Sequence, residues 1–223
     1  MNSRKLVGMF LKTLLIGGVA GLVVSFFVKA EEYANVLSPF NFMELIGLVV
    51  FFIGLGLVFA VISQTGFFAY LFINRFGLGM FRSYWPMIQG LLIAFVVFDL
   101  VYFPYKASEG TSVFVFILMS AAILAYGWVI AKIKAKETNK SAFMPALFLM
   151  VVITSIEWVP GLQTSGTDYA WLMIFPLLAC NTYQLLILHR LTKTDPKKAN
   201  INKTNTAKKG KASQHKKIKA QPR

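Results

Sequence analysis

Six apolar runs, each close to 20 residues, alternate with short polar connectors along the first 189 positions. They cover about Leu6–Val28, Glu44–Gln64, Trp85–Tyr105, Thr111–Ala131, Phe143–Val159 and Tyr169–His189. An α-helix rises 1.5 Å per residue, so about 20 apolar residues cover the ~30 Å hydrocarbon layer of a bilayer. The pattern predicts an all-α fold: a polytopic membrane protein with about six transmembrane helices, spanning residues 1–189. From Arg190 onward the apolar runs stop. Residues 190–223 are rich in Lys, Asn and Ala and read as a disordered, Lys-rich cytoplasmic tail.

The connectors set the orientation. Arg4 and Lys5 precede the first run, Arg75 and Arg82 lie between the second and third, and Lys132, Lys134, Lys136 and Lys140 lie between the fourth and fifth. The opposite connectors carry Lys29 and Lys106 but also Glu31, Glu32, Glu109 and Asp168. Basic residues gather on the cytoplasmic side of spanning helices, so both termini are expected in the cytoplasm and the protein in the cell membrane. Val28-Lys29-Ala30 has the small residues of a signal-peptide cleavage site. The preceding run is long for a signal and Lys12 interrupts it, so the first helix is read as retained.

One stretch departs from the simple pattern. Were residues 44–73 a single helix, it would run ~45 Å, half as long again as the membrane core. The sequence Ser63-Gln64-Thr65-Gly66 offers a break, with Gly66 permitting a turn and the hydroxyls and amide meeting freed backbone groups. The following segment, about residues 66–82, is then expected in the cytoplasmic interface, with Gly77 and Gly79 ending it. Phe67, Phe68, Tyr70 and Phe72 would face acyl chains and Arg75 and Arg82 would reach lipid headgroups. Phe67, Phe68, Phe72, Arg75 and Arg82 are therefore the candidate contacts for a partner on that side.

Composition sharpens the picture. The chain has 223 residues, 57% of them hydrophobic and 14% charged, too few charges to screen that much apolar surface in water. Net charge is +14, but about a dozen of the 23 basic residues lie from Arg190 to the end, against Asp195 alone. That tail is expected to lie against the anionic inner leaflet, and no nucleic-acid partner is expected. Membrane lipids are the other expected partner.

Ionisable groups inside a span cost a few kcal/mol near its centre, so each marks a candidate site. Asp99 in "AFVVFDLVYF" and Glu157 in "VITSIEWVPG" stand near the outer ends of their runs, where each can pair with Lys29 or Lys106 from the outer connectors or the two with each other around one shared proton. With Gln64 they form the candidate intramembrane polar site. Asn181, Thr182, Gln184 and Gln89 are the residue types that hydrogen-bond between helices, and Gly17 and Gly21 have the spacing that lets helices approach closely.

Catalytic and metal chemistry has no foothold. Cys180 is the one cysteine, and the two histidines, His189 and His215, lie at a membrane edge and in the tail. There is no serine–histidine pairing across spans, no second intramembrane aspartate, no metal-ligand spacing and no phosphate-cradling glycine loop. No enzyme activity, cofactor or metal is expected.

The block "VISQTGFFAYLFINRFGLGMFRSYWPMIQGLLIAFVVFDLVYFPY", together with "SRKLVGMFLKTLLIGGVAGL", resembles the KinB-signalling pathway activation proteins of endospore-forming Bacillus-type bacteria. The resemblance implies a multi-pass regulatory protein that stimulates a membrane sensor histidine kinase feeding the sporulation phosphorelay. It brings no catalytic residues with it. From the residues alone, the alternative is a small membrane transporter or external-ligand sensor using Asp99 and Glu157.

Overall fold

The computed structural model describes residues 3–38, 40–107, 112–163 and 167–192. The Lys-rich tail beyond Thr192 and the expected outer acid Glu109 lie outside the described residues. The described residues are nearly all helical: α1 Ser3–Val28, α2 Ala30–Leu37, α3 Phe42–Phe81, α4 Trp85–Ala107, α5 Val113–Glu137, α6 Phe143–Phe148, α7 Thr154–Gln163 and α8 Thr167–Thr192. Local chemistry places the starts. Asn41 accepts from the Glu44 N–H and donates to its carboxylate, a reciprocal cap at the head of α3. Ser112 Oγ accepts from the Phe114 N–H at the head of α5, and Asn139 Oδ1 from the Ala142 N–H in the short 3₁₀ turn before α6.

Five helical stretches among the described residues are long and apolar enough to cross a bilayer. One of them, Phe42–Lys106, holds both α3 and α4. The chain reverses at Arg82–Tyr84, where Trp85 Nε1 donates to Asn74 Oδ1 at 2.9 Å and the Trp85 ring covers Gly77. A β-carbon on Gly77 would come within 2.5 Å of that ring, so glycine is required for the close return. Arg82, with φ 48°, ends α3 in the conformation where glycine is usual.

The expected break at Ser63–Gly66 does not form. α3 runs unbroken for 40 residues, ~60 Å at 1.5 Å per residue. Its polar residues bond sideways or back along the helix and free no backbone group. Ser63 bonds to α8, Gln64 Nε2 donates to the Phe10 carbonyl of α1, and Thr65 Oγ1 donates to the Val61 carbonyl one turn earlier. Gly77 and Gly79 lie inside the helix and do not end it.

α1 and α3 pack antiparallel through small residues. A β-carbon on Gly17 would meet Ala60 Cβ at 2.5 Å and the Gly56 carbonyl at 2.7 Å, and one on Gly21 would meet Gly56 Cα at 2.7 Å. The Gly17/Gly21 spacing thus serves a contact within the chain. α8 closes this group, with Cys180 Sγ 3.5 Å from the Thr13 carbonyl. α4 packs mainly on α5 and α6, and α7 on α8.

Between α6 and α7 the residues Leu149–Ile153 form a π-helical turn, all five buried. Thr154 Oγ1 donates to the Leu149 carbonyl five residues back, at 3.2 Å. Single π turns inside α-helices often mark functional positions. Two apolar clusters lie along the bundle. One contains Phe67, Tyr70, Met150 and Leu185, the other Phe59, Trp158, Met173 and Leu177.

Candidate functional site

On each of three helices, a few polar residues separate the two apolar clusters: Ser63 on α3, Thr154 and Glu157 on α7, and Asn181 and Gln184 on α8. All five are buried. Ser63 Oγ donates to Asn181 Oδ1 at 2.8 Å and accepts from Gln184 Nε2 at 2.8 Å. Asn181 Nδ2 donates to Thr154 Oγ1 at 2.9 Å and to Glu157 Oε2 at 2.7 Å. Bonds of this kind between apolar helices contribute on average about 0.6 kcal/mol each, up to about 1.7. Their larger effect is on register, because sliding α3 by one residue would strand several buried polar groups at once.

Glu157 is only 7% exposed. Its Oε1 rests against Gly66, where a β-carbon would overlap the carboxyl. Gly66, expected to permit a turn, instead gives this carboxyl its seat. The expected lysine partners go elsewhere. Lys29 pairs with Glu32 at 3.0 Å and Asp168 at 3.2 Å, tying the α1–α2 junction to the start of α8. Its hydrogen bonds to Glu32 and then Asp168 raise its pKa above the ordinary lysine value. Lys106 lies over the Tyr102 ring.

The sequence-predicted residues separate into distinct places. Gln64 fastens α3 to α1 and is not part of the Glu157 layer. Asp99 lines a cleft of about 520 Å³ between α4 and α7 that Glu157 does not line. The aromatic segment of α3 divides by face. Phe67 is fully buried, and Tyr70 is buried beside it in the core. Phe67 therefore does not offer the partner contact expected of it. Phe68 and Phe72 are exposed, and Phe72 stacks on Phe76 with the rings 6.2 Å apart. Arg75 and Arg82 are also exposed.

Two features escaped the sequence reading. Lys134, counted there only as a cytoplasmic charge, is buried. It donates to the Leu185 carbonyl at 2.6 Å and lies 3.3 Å from His189 Nδ1. Glu137 stands 3.7 Å from the same histidine nitrogen and 4.0 Å from Arg190, so the ends of α5 and α8 are joined. The signal was present in the spacing, since Ile123, Gly127, Ile130 and Lys134 share one helix face. The second is Ser155, buried with its hydroxyl bonded to no described residue, for which only a structure supplies the neighbours.

Among the described residues no group of three or more His, Cys, Asp or Glu side chains is placed to hold a metal ion. The class these features define is an all-helical bundle of long apolar rods, keyed together by a buried hydrogen-bonded layer. A family model described as KinB-signalling pathway activation in sporulation matches residues 17–191. The chain is also 40% identical over 192 residues to the KinB-signaling pathway activation protein of Bacillus subtilis (strain 168), covering 84% of this chain and 97% of that relative. No solved structure matches it. The chain belongs to the family of KinB-signalling pathway activation proteins, whose name denotes regulators of a signalling route.

Proposed function

We propose that this chain is a multi-pass membrane regulator that activates a KinB-type pathway leading to sporulation, by direct contact with a membrane sensor histidine kinase. Both termini and the α3–α4 reversal lie on the cytoplasmic side in this reading. The distribution of charge supports it. Arg4, Lys5, Arg75, Arg82, Lys132, Lys136 and Lys140 collect at one end of the bundle, whereas Glu31, Glu32, Glu44 and Asp168 collect at the other. The Lys-rich tail would then meet anionic lipid on the cytoplasmic face.

The observation that carries the contact is the length of α3. At ~60 Å it is about twice the hydrocarbon thickness, and its excess carries exposed aromatics. Phe10 of α1 packs on Phe68, so the described start of α1 is level with roughly the Ile73 turn, and the last two turns of α3 continue past it. Phe68, Phe72 and Phe76 form a strip that leads from beside α1 onto this overrun, with Arg75 beside it. The strip replaces the Phe67-centred patch as the partner surface. A difference of about 1–3 kcal/mol in contact with two kinase states suffices to shift its output several-fold.

The test is a sporulation-phosphorelay reporter in a deletion strain carrying either this gene or its Phe68→Ala/Phe72→Ala/Phe76→Ala variant, with kinase co-purification alongside. Loss of both output and co-purification at normal protein level supports contact. Full rescue by the variant rejects the strip as the contact surface.

A further inference from the structure

The cleft between α4 and α7 has the chemistry of a binding site. Asp99 makes no hydrogen bond or ion pair with any described residue, although it stands eight residues inside the end of α4, ~12 Å along the helix. Ser155, level with it on α7, is buried with an unpartnered hydroxyl and lines the same cleft. Each wall also contains a proline one turn beyond a lining residue: Pro104 follows Leu100 on α4, and Pro160 follows Ile156 on α7. Proline has no N–H, so the Leu100 and Ile156 carbonyls lack their usual helical donor. Asp99 is the charged group of the cleft's deep end, where Val96 also lines it. Toward the helix ends its walls are apolar, formed by Phe103, Pro104, Val159 and Leu162.

We propose that this cleft binds a small apolar amine, its ammonium group held at Asp99 and its hydrocarbon body lying outward along α4 and α7. A primary ammonium is a compact cation with donors for the Asp99 carboxylate. A volume of about 520 Å³ lies within the usual range for small-molecule pockets, a few polar groups in an apolar lining. The direction of the cleft selects the source. Its polar groups lie deep and its apolar walls lie toward the helix ends, whereas a bilayer aminophospholipid carries its amine at the aqueous surface and its chains inward. The occupant is a free amine. Lys106, the lysine of α4, sits over the Tyr102 ring and does not neutralise Asp99.

The experiment uses the full chain in phosphatidylcholine nanodiscs, with thermal unfolding read against hexylamine, 1-hexanol and sodium chloride. A ligand that binds the folded state raises the midpoint in a saturable way. Hexylamine is expected to do so, and 1-hexanol to require at least about tenfold more, because it carries no charge for Asp99. Asp99→Asn is expected to raise the half-saturating hexylamine concentration about tenfold or more. Val159→Trp fills the cleft without altering the carboxylate and should abolish the effect. Glu44→Gln, at an exposed carboxylate toward the same end, should leave it unchanged. Equal stabilisation by the amine and the alcohol, or an unaltered Asp99→Asn, overturns the proposal. So does stabilisation by sodium alone. If phosphatidylethanolamine doped into the nanodiscs reproduces the shift and hexylamine adds nothing, a lipid occupies the cleft and the free-amine assignment is wrong.

Discussion

Glu157 and Asp99 each interrupt an apolar run near one end of the bundle, yet their surroundings are opposite. Glu157 is buried, bonded through Oε2 to Asn181 and seated on Gly66. Asp99 is half-buried, bonds to no described residue and faces a cleft. A carboxyl inside an apolar bundle is costly unless its oxygens are bonded or it faces a cavity. Glu157 answers part of that cost through its Oε2 bond from α7 to α8, its buried Oε1 bonding to no described residue, and Asp99 answers it by lining a cleft. The first is part of what makes the bundle fold in one register. The second contributes nothing evident to the fold.

The contrast can be broken most sharply at Gly66. Gly66→Val places a branched side chain where the Glu157 carboxyl sits, so the carboxyl must leave its seat and its bond to Asn181. Overpacking of this kind costs about 1–3 kcal/mol or more, the largest loss expected here, read as a fall in folded yield and unfolding midpoint. Wild-type behaviour would show that the carboxyl does not depend on that seat. Next is Glu157→Ala, which leaves the buried Asn181 amide short of an acceptor and should cost about 1–3 kcal/mol in denaturant unfolding. Glu157→Gln keeps the shape and should cost less than the alanine variant. Asp99→Asn should change stability by no more than about 0.5 kcal/mol, the range of sites without structural partners. Equal losses at the two carboxylates would erase the distinction.

The smallest effect concerns the Lys29 tie to Asp168. Its pairing raises the Lys29 pKa, so the folded state holds the proton more tightly than the unfolded one. The stabilisation is full below the unfolded lysine pKa of about 10.4 and is lost as pH rises through the raised folded value. Lys29→Gln should therefore lower the unfolding midpoint slightly near pH 8, and the gap from wild type should close as pH rises through the raised folded value. A gap that persists at alkaline pH would assign the lysine a packing role in place of a charge.

Much of the fold is legible in the apolar runs. The predicted runs at Leu6–Val28 and Trp85–Tyr105 fall within α1 and α4 almost residue for residue, because length and hydropathy are local properties. The failure at Ser63–Gly66 has a physical cause. Hydroxyls, an amide and a glycine together are consistent with a turn, or with a helix whose neighbours supply the bonds, and only the neighbours decide. Reading the helix straight through would have sorted the aromatics correctly. Phe59, Ser63, Phe67 and Tyr70 fall on the buried face, while Phe68, Phe72 and Phe76 fall on the exposed one. The candidate site was legible in its residue types but not in its grouping. Glu157 and Asp99 look alike in one dimension, and Ser155 gives no signal until α4 is placed beside it.

An unbroken α3 also behaves as a lever. Its close crossing with α1 lies near Gly56, and Phe81 is 25 residues further on, ~38 Å away at 1.5 Å per residue. A tilt of about 10° at that pivot carries the far end by about 6–7 Å, whereas a helix broken at Ser63 would lose the motion at the break. Because Trp85 is bonded to Asn74 and lies on Gly77, the head of α4 moves with it. A small rearrangement of the glycine crossing would, by geometry alone, amount to a displacement the size of a helical turn at the Arg82 corner.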